Sequence, residues 1–354
     1  MLGPLPSQPP PRLRPTRLAP VQVLAGVAFL LVSATASILV GPAGFSPATV
    51  LQALASRLPF VHLHSGLAAT VVWQLRMPRM VLGCLVGAML AVAGASYQGV
   101  FSNPLADPYL LGIASGAGLG ATLALVDGPL LGHLPGAAVQ PMAFGGGLLA
   151  VAATFALGRR RGSQPSAASL VLAGVAVAAF FTAVQTFLLQ QSSSVDLTAV
   201  YHWILGGLAT AGWAQVVQVL PYVAIAMAVL VALRRVIDVL AVGDEEATSL
   251  GVHAGRARLV VVAAATLGTA AAVSVSGLIG FVGIIVPHTI RLLAGPSYRR
   301  ILPLSVLFGA GFLVLADLLA RAVLSPEELP LGVVTAFLGA PFFLVVLRQA
   351  RQGA

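Results

Sequence analysis

Long apolar segments alternate with short polar or Pro/Gly-rich breaks along most of the chain. The first segment, residues 21–40, contains 20 residues without a charge. At about 1.5 Å per residue, a helix of this length crosses a hydrocarbon core of roughly 30 Å. Backbone N–H and C=O groups in lipid must hydrogen-bond within the protein, which leaves helices or a closed barrel. The segments are longer than barrel strands, which favours helices. The pattern therefore predicts an all-α polytopic membrane protein.

About ten such segments lie between the breaks, and we expect each to form one transmembrane helix. They cover residues 21–40, 79–101, 109–125, 137–157, 167–190, 214–233, 258–276, 281–294, 303–323 and 331–348. Segment 281–294 is too short to cross alone unless its neighbours bury it. We expect a Pro/Arg-rich tail at 1–20, a single transmembrane domain at 21–348 and a second tail at 349–354. The first segment is longer than the apolar part of a usual signal peptide, so we expect it to be retained.

Glycines recur four residues apart inside several of the predicted helices. Gly83 and Gly87 form one such pair, and Gly112, Gly116 and Gly120 continue the spacing in the next helix. Small residues at this spacing let helix backbones approach closely in lipid. The spacing predicts a compact bundle.

Composition and charge add an orientation to this picture. Hydrophobic residues make up 58% of the chain and charged residues 8%, and the mean hydropathy of +0.98 is far above that of a soluble domain. All 19 basic residues are arginines, and fifteen of them fall in alternate breaks. Because basic residues concentrate in cytoplasmic loops, we expect both termini and the break 234–258 to be cytoplasmic. Four arginines fall on the opposite side and indicate a docking surface there: Arg57, Arg76, Arg79 and Arg321.

The chain lacks the residues that several classes of enzyme and pump require. Without any Lys it has no phosphate-binding P-loop, and Cys84 alone forms neither an internal disulfide nor a thiolate metal cluster. His288 has no second ligand at metal spacing, and neither a nucleophile elbow nor a His-Glu-x-x-His helix is present. We therefore expect no catalytic site, metal or cofactor in this chain. What remains for such a membrane protein is a passive channel or a pore that another chain powers.

Asp317 is the only charged residue well inside a predicted helix. Arg321 follows four residues later on the same helix face, so an internal ion pair accounts for the carboxylate. The alternative is an ion-coupled secondary carrier, or a passive channel, that uses Asp317.

The longest hydrophilic break, residues 234–258, contains a predicted short helix at 243–252. Asp244 can cap its free N–H groups, Glu245 and Glu246 complement its N-terminal dipole, and Gly251 can end it. The helix is either an ordinary solvated element or a surface that takes mechanical force from a separate ATPase.

Four segments in order along residues 70–345 resemble the permease subunit of the bacterial ABC importers for iron chelates, heme and cobalamin, the large ten-helix class. These segments are 74–79 with Arg76, Pro78 and Arg79; 103–112 with Asn103, Pro104, Asp107 and Pro108; 280–288 with Gly283, Pro287 and His288; and 328–341 with Glu328, Pro330, Gly332, Gly339 and Pro341. The resemblance implies a homodimer around a central path in the bacterial cytoplasmic membrane. It also implies two cytoplasmic ATPase subunits that bind ATP and Mg, a substrate-binding protein on the outer face, and no nucleic-acid partner.

The resemblance assigns roles to three groups of residues. Arg76, Arg79 and Arg321 meet glutamates of the binding protein, and Arg57 matches no motif. The predicted short helix and the residues beside it are expected to contact the ATPase. The contact residues are Leu240, Gly243, Glu245, Ala247, Leu250 and Gly251. A cytoplasmic gate is expected in the turn 162–169, with Ser166, Ala167, Ala168 and Ser169; some relatives have hydroxyl residues in place of the two alanines.

The ligand is the least determined part of the function. Ferric siderophores rank first on family frequency, with cobalamin and heme behind. The aromatic segment 201–203, Tyr-His-Trp, either stacks on a flat ligand or anchors the chain at the membrane interface.

Overall fold

The computed structural model describes residues 18–57, 66–126, 136–159 and 166–352. Most of the predicted tail 1–20, residues 160–165 of the break that holds the predicted gate, and the last two residues of the tail 349–354 lie outside this range. Within it, the chain is helical and contains no strand.

The helices follow the apolar segments closely. In chain order they are α1 (Pro20–Leu39), α2 (Pro47–Ala55), α3 (Leu67–Val71), α4 (Met77–Val100), α5 (Ile113–Leu125), α6 (Val139–Gly158), α7 (Ala167–Gln190), α8 (Ser194–Leu205), α9 (Trp213–Ala232), α10 (Arg234–Leu240), α11 (Asp244–Ser249), α12 (Ala254–Ser276), α13 (Val282–Ala294), α14 (Tyr298–Ala322) and α15 (Leu331–Gln352). Each of the ten predicted segments coincides with one helix to within a few residues. The pattern did not reveal α2, α3, α8 and α10, which are short.

Seven helical segments in the described residues are long and apolar enough to cross a membrane: α1, Leu67–Val100, Gly136–Gly158, α7, α9, α12 and α14. Three shorter apolar helical stretches complete the bundle: α5, α13 and residues Leu331–Val346 of α15. The most apolar stretch of Leu67–Val100 is 78% buried, whereas that of α7 is 17% buried. The bundle therefore has α4 at its centre and leaves α7 with a face for lipid or another subunit.

The continuous helix that contains α4 begins at Leu67, twelve residues before the predicted start at 79, because a π-helical turn, Val72–Arg76, joins α3 to α4. The Met77 N–H donates to the Val72 carbonyl, five residues back. In a regular α-helix the ring of Pro78 clashes with the carbonyl four residues before it, and the wider turn relieves that clash. The helix thus passes Pro78 without ending, which places Arg76 and Arg79 on one continuous helix.

Glycines set the distances between the central helices, as their spacing predicts. A Cβ atom on Gly87 of α4 would lie 2.3 Å from the Gly309 carbonyl oxygen of α14, and one on Gly116 of α5 would lie 2.2 Å from the Gly146 carbonyl oxygen of α6. These helix pairs therefore touch backbone to backbone, which is the close approach that small residues allow in lipid.

Because α4 and α14 are antiparallel, the bundle has two ends with different chemistry. The start of α4 and the end of α14 meet at the carboxylate end, so named for Asp317 and Glu328. The end of α4 and the start of α14 meet at the loop end, beside α10 and α11.

Candidate docking and coupling sites at the two ends of the bundle

Four charged side chains form one cluster at the carboxylate end, which we call the carboxylate cluster: Arg79, Asp317, Arg321 and Glu328. Arg79 Nη2 lies 2.8 Å from Asp317 Oδ1, and the same guanidinium donates to both oxygens of Glu328 at 2.9 and 2.8 Å. Arg321 Nε donates to Asp317 Oδ2 at 3.1 Å. Asp317 is only 2% exposed. The predicted internal pair of Asp317 and Arg321 is confirmed, and Arg79 joins it from a distant part of the chain.

Arg76 and Arg321 also bind the last carbonyl groups of α1. Arg76 Nη1 donates to the carbonyls of Ile38 and Leu39 at 2.7 and 3.3 Å. Arg321 donates to the carbonyls of Ser37 and Val40, both at 3.3 Å. The last carbonyls of a helix have no partner inside it and carry its negative dipole, so two cations stabilise this end.

This geometry changes the expectation for the docking arginines. Arg76 and Arg321 are 6% and 5% exposed, and both guanidinium groups are bound within the chain. For these two, contact with a binding protein would require the bonds to α1 to break first. Arg79 lies at a cavity and stays the candidate that a partner can reach. Arg57 is exposed, with its guanidinium 5.2 Å from the centre of the Trp73 ring.

The cavity at the carboxylate end has a volume of about 620 Å³ and is bounded by the ends of α8, α12 and α14. Arg79, Asp317 and Glu328 form one wall. Of the predicted aromatic segment, His202 and Trp203 line the cavity, whereas Tyr201 is exposed on another side. The charged side chains on this wall are paired with one another.

Backbone outside the helices shapes this cavity. The Gly207 N–H donates to the Ser276 carbonyl at 2.8 Å, and the Leu331 N–H donates to the Gly206 carbonyl at 3.0 Å. Gly277, with φ +64°, leaves no room for a Cβ, which would lie 2.1 Å from the Trp203 carbonyl oxygen. These hydrogen bonds join the end of α8 to the end of α12 and to the start of α15. The close contact at Gly277 fixes the cavity wall beside Trp203.

At the loop end, the predicted short helix is present as α11. Gly243 stands before its first residue, and the Val252 N–H donates back to the Ala247 carbonyl at 2.9 Å after Gly251, which has φ +79°. This is the glycine-terminated helix end that the sequence predicts. The helix begins at Asp244 rather than after it, and the side chain of Asp244, predicted to cap it, lies outside the described residues.

The six residues predicted to contact the ATPase divide by exposure. Glu245, Leu250 and Gly251 are exposed, and Leu250 is 69% exposed. Gly243 is half-buried, whereas Leu240 and Ala247 are buried in this chain's own core. Leu240 and Ala247 are thus unavailable for contact in this chain and instead hold α10 and α11 against the bundle. Contact of the exposed residues with the ATPase stays a prediction.

The described part of the predicted gate forms the first turn of α7. Ser166 Oγ accepts a hydrogen bond from the Ser169 N–H at 3.2 Å and so caps the helix, which begins at Ala167. Ser169 Oγ donates to the Ser166 carbonyl at 2.9 Å, and Ala168 is exposed. The two hydroxyl groups thus serve the helix start, and the gate stays a prediction.

The residues Asn103 and Asp107 have the turn-forming role that the sequence indicates. Asn103 Oδ1 accepts from the Leu105 N–H at 2.9 Å, and Asp107 Oδ1 accepts from the Tyr109 N–H at 2.8 Å. Burial raises the pKa of Asp107 to about 6, and the hydrogen bond from the Tyr109 N–H lowers this pKa in part. In the described residues, no group of three or more His, Cys, Asp or Glu side chains is placed to hold a metal ion.

Two polar contacts at the loop end, which involve four side chains, were not predicted from the sequence. Arg291 Nη2 donates to Gln98 Oε1 at 2.8 Å, and Asp238 accepts a hydrogen bond from Ser297 Oγ at 2.9 Å. The partners in each pair are far apart along the chain, so no local spacing in a single sequence reveals them.

Comparisons with known proteins agree with this architecture. The model of the FecCD transport family matches residues 29–349. The chain is 45% identical to the cobalamin import system permease protein BtuC of Halobacterium salinarum, over 80% of this chain and 74% of that protein. It is 39% identical to the vitamin B12 import system permease protein BtuC of Escherichia coli, over 79% and 84%. It is 40% identical to the uncharacterised ABC transporter permease protein YvrB of Bacillus subtilis, over 80% of each chain.

A solved structure, described as an inward-facing conformation of a metal-chelate type ABC transporter, superposes with a TM-score of 0.81. The match covers 94% of this chain and 100% of the other, at 27% sequence identity. Fold, family match and relatives agree on a multi-pass importer permease for substrates of the metal-chelate and cobalamin type, and none of them supports a carrier that uses Asp317. The chain belongs to the FecCD transport family.

Proposed function

We propose that two copies of this chain enclose the membrane path of an ATP-driven cobalamin importer. Each copy engages one cytoplasmic ATPase subunit, which binds ATP and Mg, and the pair receives its ligand from a binding protein at the carboxylate end. The membrane is the bacterial cytoplasmic membrane, with both termini inside. The observation that carries this proposal is α11, an exposed helix held by buried residues in a chain that has no Lys for a P-loop of its own.

The names of the relatives support cobalamin as the ligand. Two relatives, at 45% and 39% identity, are named as cobalamin or vitamin B12 permeases. This order differs from the expectation on family frequency, which places ferric siderophores first. The metal-chelate type of the solved transporter keeps a ferric chelate as the second candidate, with heme third.

At the carboxylate end we assign the first contact with the binding protein to Arg79. Its guanidinium lines the cavity and is held by Glu328, whose side chain is 32% exposed. A partner carboxylate can replace Glu328 while Asp317 keeps its bond, because an arginine binds carboxylates through several N–H groups. Charge complementarity of this kind also speeds association. Residues 166–169 form the gate at the opposite end of the path.

The test is uptake into liposomes. The chain, its ATPase and its binding protein, identified by mild purification and mass spectrometry, are reconstituted with labelled cobalamin or a labelled ferric siderophore outside. We expect ATP-dependent uptake of cobalamin by the complete system and no uptake by the chain alone. Uptake by the chain alone would instead indicate a carrier, and uptake of only the ferric siderophore would change the ligand.

Replacing Glu245 and Leu250 together by Arg is expected to lower import about ten-fold, an effect within the usual range of coupling between sites. Glu245 on α11 and Leu250, which directly follows this helix, both have exposed side chains, so the fold does not depend on them. Import and thermal unfolding are measured on the same preparation. The control Arg256→Glu changes an exposed charge at the same end but outside α11. Unchanged import in the double variant would remove α11 from the mechanism.

A further inference from the structure

The N-terminus of α14 is capped by a side chain from α10. Asp238 Oδ1 accepts the hydrogen bond of the Tyr298 N–H, and Oδ2 accepts from Ser297 Oγ at 2.9 Å. Arg299 Nε lies 3.3 Å from the same Oδ2. Ser297 occupies the cap position of α14 but makes no side-chain cap bond of its own. A carboxylate is well suited to this place, since it faces free N–H groups and the positive end of the helix dipole.

Asp238 belongs to an element that is fixed to the bundle on its other side. Ile237 and Leu240 of α10 are fully buried, and a Cβ on Gly99 of α4 would lie 2.3 Å from Ile237 Cγ2. Six residues after Asp238 the chain enters α11. The chain and this capping contact together give a path from α11 through α10 and Asp238 to α14.

The helix α14 runs from this cap to the carboxylate cluster. Its 25 residues give a length of about 37 Å at 1.5 Å per residue. Near the far end, Asp317 and Arg321 bind Arg79 of α4 and the last carbonyls of α1. These contacts join α14 to α10 at one end and to α4 and α1 at the other, so α14 connects the two ends of the bundle.

We propose that Asp238 is the positioning residue through which the α10–α11 segment moves α14, and with it the carboxylate cluster at the opposite end of the bundle. The proposal rests on the importer function proposed above. The motion of the ATPase then arrives at Arg79 through one helix rather than through the bundle as a whole.

The test compares Asp238→Ala and Asp238→Asn in the complete reconstituted transporter. The alanine variant removes both acceptors, whereas asparagine keeps one oxygen for the Tyr298 N–H and loses the charge. For Asp238→Ala we expect ATP hydrolysis to continue while cobalamin imported per ATP falls about five-fold or more, the lower end of typical coupling between distant sites. Asp238→Asn is expected to lie between this variant and the unchanged protein, and it serves alone if the alanine variant does not fold.

Two control variants separate coupling from stability. Asp196→Ala removes a half-buried carboxylate that accepts hydrogen bonds from Ser193 at the start of α8. It is therefore a capping carboxylate like Asp238, but it has no link to α11. Arg299→Ala removes only the ion pair, whose arginine is 45% exposed. Both are expected to keep the ratio of import to hydrolysis.

A second measurement needs no ligand. With Cys84→Ala, a spin label at Leu319→Cys, which is 45% exposed near the end of α14, reports the distance between the two copies in the dimer. We expect ATP to change this distance in the otherwise unchanged complex and not in Asp238→Ala. An unchanged ratio of import to hydrolysis together with an unchanged distance response would overturn the role of Asp238. If the complex hydrolyses ATP but imports no cobalamin, the ligand assignment fails, and the label distance still decides on Asp238.

Discussion

Replacing Asp317 by Ala is expected to lower the free energy of unfolding by about 3–5 kcal/mol, the usual cost of removing one partner of a buried ion pair. Asp317 is 2% exposed, and Arg321 depends on it for its only carboxylate contact among the described residues, whereas Arg79 keeps Glu328. The variant therefore leaves a buried cation without a counter-charge. Thermal and denaturant unfolding of the purified chain in mild detergent measures the loss.

The half-buried carboxylate of Asp196 provides the control for this prediction. Asp196→Ala removes one half of a capping box at the start of α8 and is expected to cost about 1 kcal/mol. Asp317→Asn tests transport as well as stability. In an importer this variant is expected to lose mainly stability, whereas in a carrier that uses Asp317 it would lose transport while its stability stays unchanged. Equal losses in the Asp317 and Asp196 alanine variants would contradict the buried cluster.

Replacing Gly146 by Ala is expected to destabilise the pair of α5 and α6 by about 3 kcal/mol, near the upper end of overpacking effects. The added Cβ would lie 2.2 Å from the Gly116 carbonyl oxygen, and this atom belongs to a helix backbone that cannot rotate away. The helices must separate, which breaks contacts along their whole length. The same unfolding measurement reports the change.

The preceding glycine gives a matched control in the same helix. A Cβ on Gly145 would meet nothing within 4 Å, so Gly145→Ala is expected to leave stability unchanged or raise it slightly. If the two alanine variants behave alike, the close approach of α5 and α6 does not limit stability.

Much of this fold follows from the sequence because backbone groups in lipid must hydrogen-bond within the chain, so long apolar segments form helices. Apolar length alone located the ten main helices, and the four-residue glycine spacing predicted a compact bundle, without showing which helices pair. The π-helical turn before Pro78 was missed because a proline next to arginines reads as a break. The short helices α2, α8 and α10 were missed because few residues in them face the core.

The sites were less accessible to sequence reasoning. The pair of Asp317 and Arg321 lies within one helix turn and was predicted, but Arg79 reaches it across 238 positions. Arg76 binds backbone carbonyls of α1, and a sequence does not reveal such a contact because every residue has a carbonyl. Leu240 was placed on a surface because family resemblance gives a position in the chain but not the direction of its side chain.

The long separation of Arg79 and Asp317 along the chain also orders the biogenesis of the protein. Arg79 enters the bilayer early in translation, and its counter-charge arrives only with α14, the penultimate apolar helix. Until then Arg79 has neither Asp317 nor Glu328 as a partner, in or near lipid, where an unpaired charge is costly. Closure of the cluster thus marks a nearly finished chain, and a stalled or truncated product carries an exposed charge that membrane quality control can recognise.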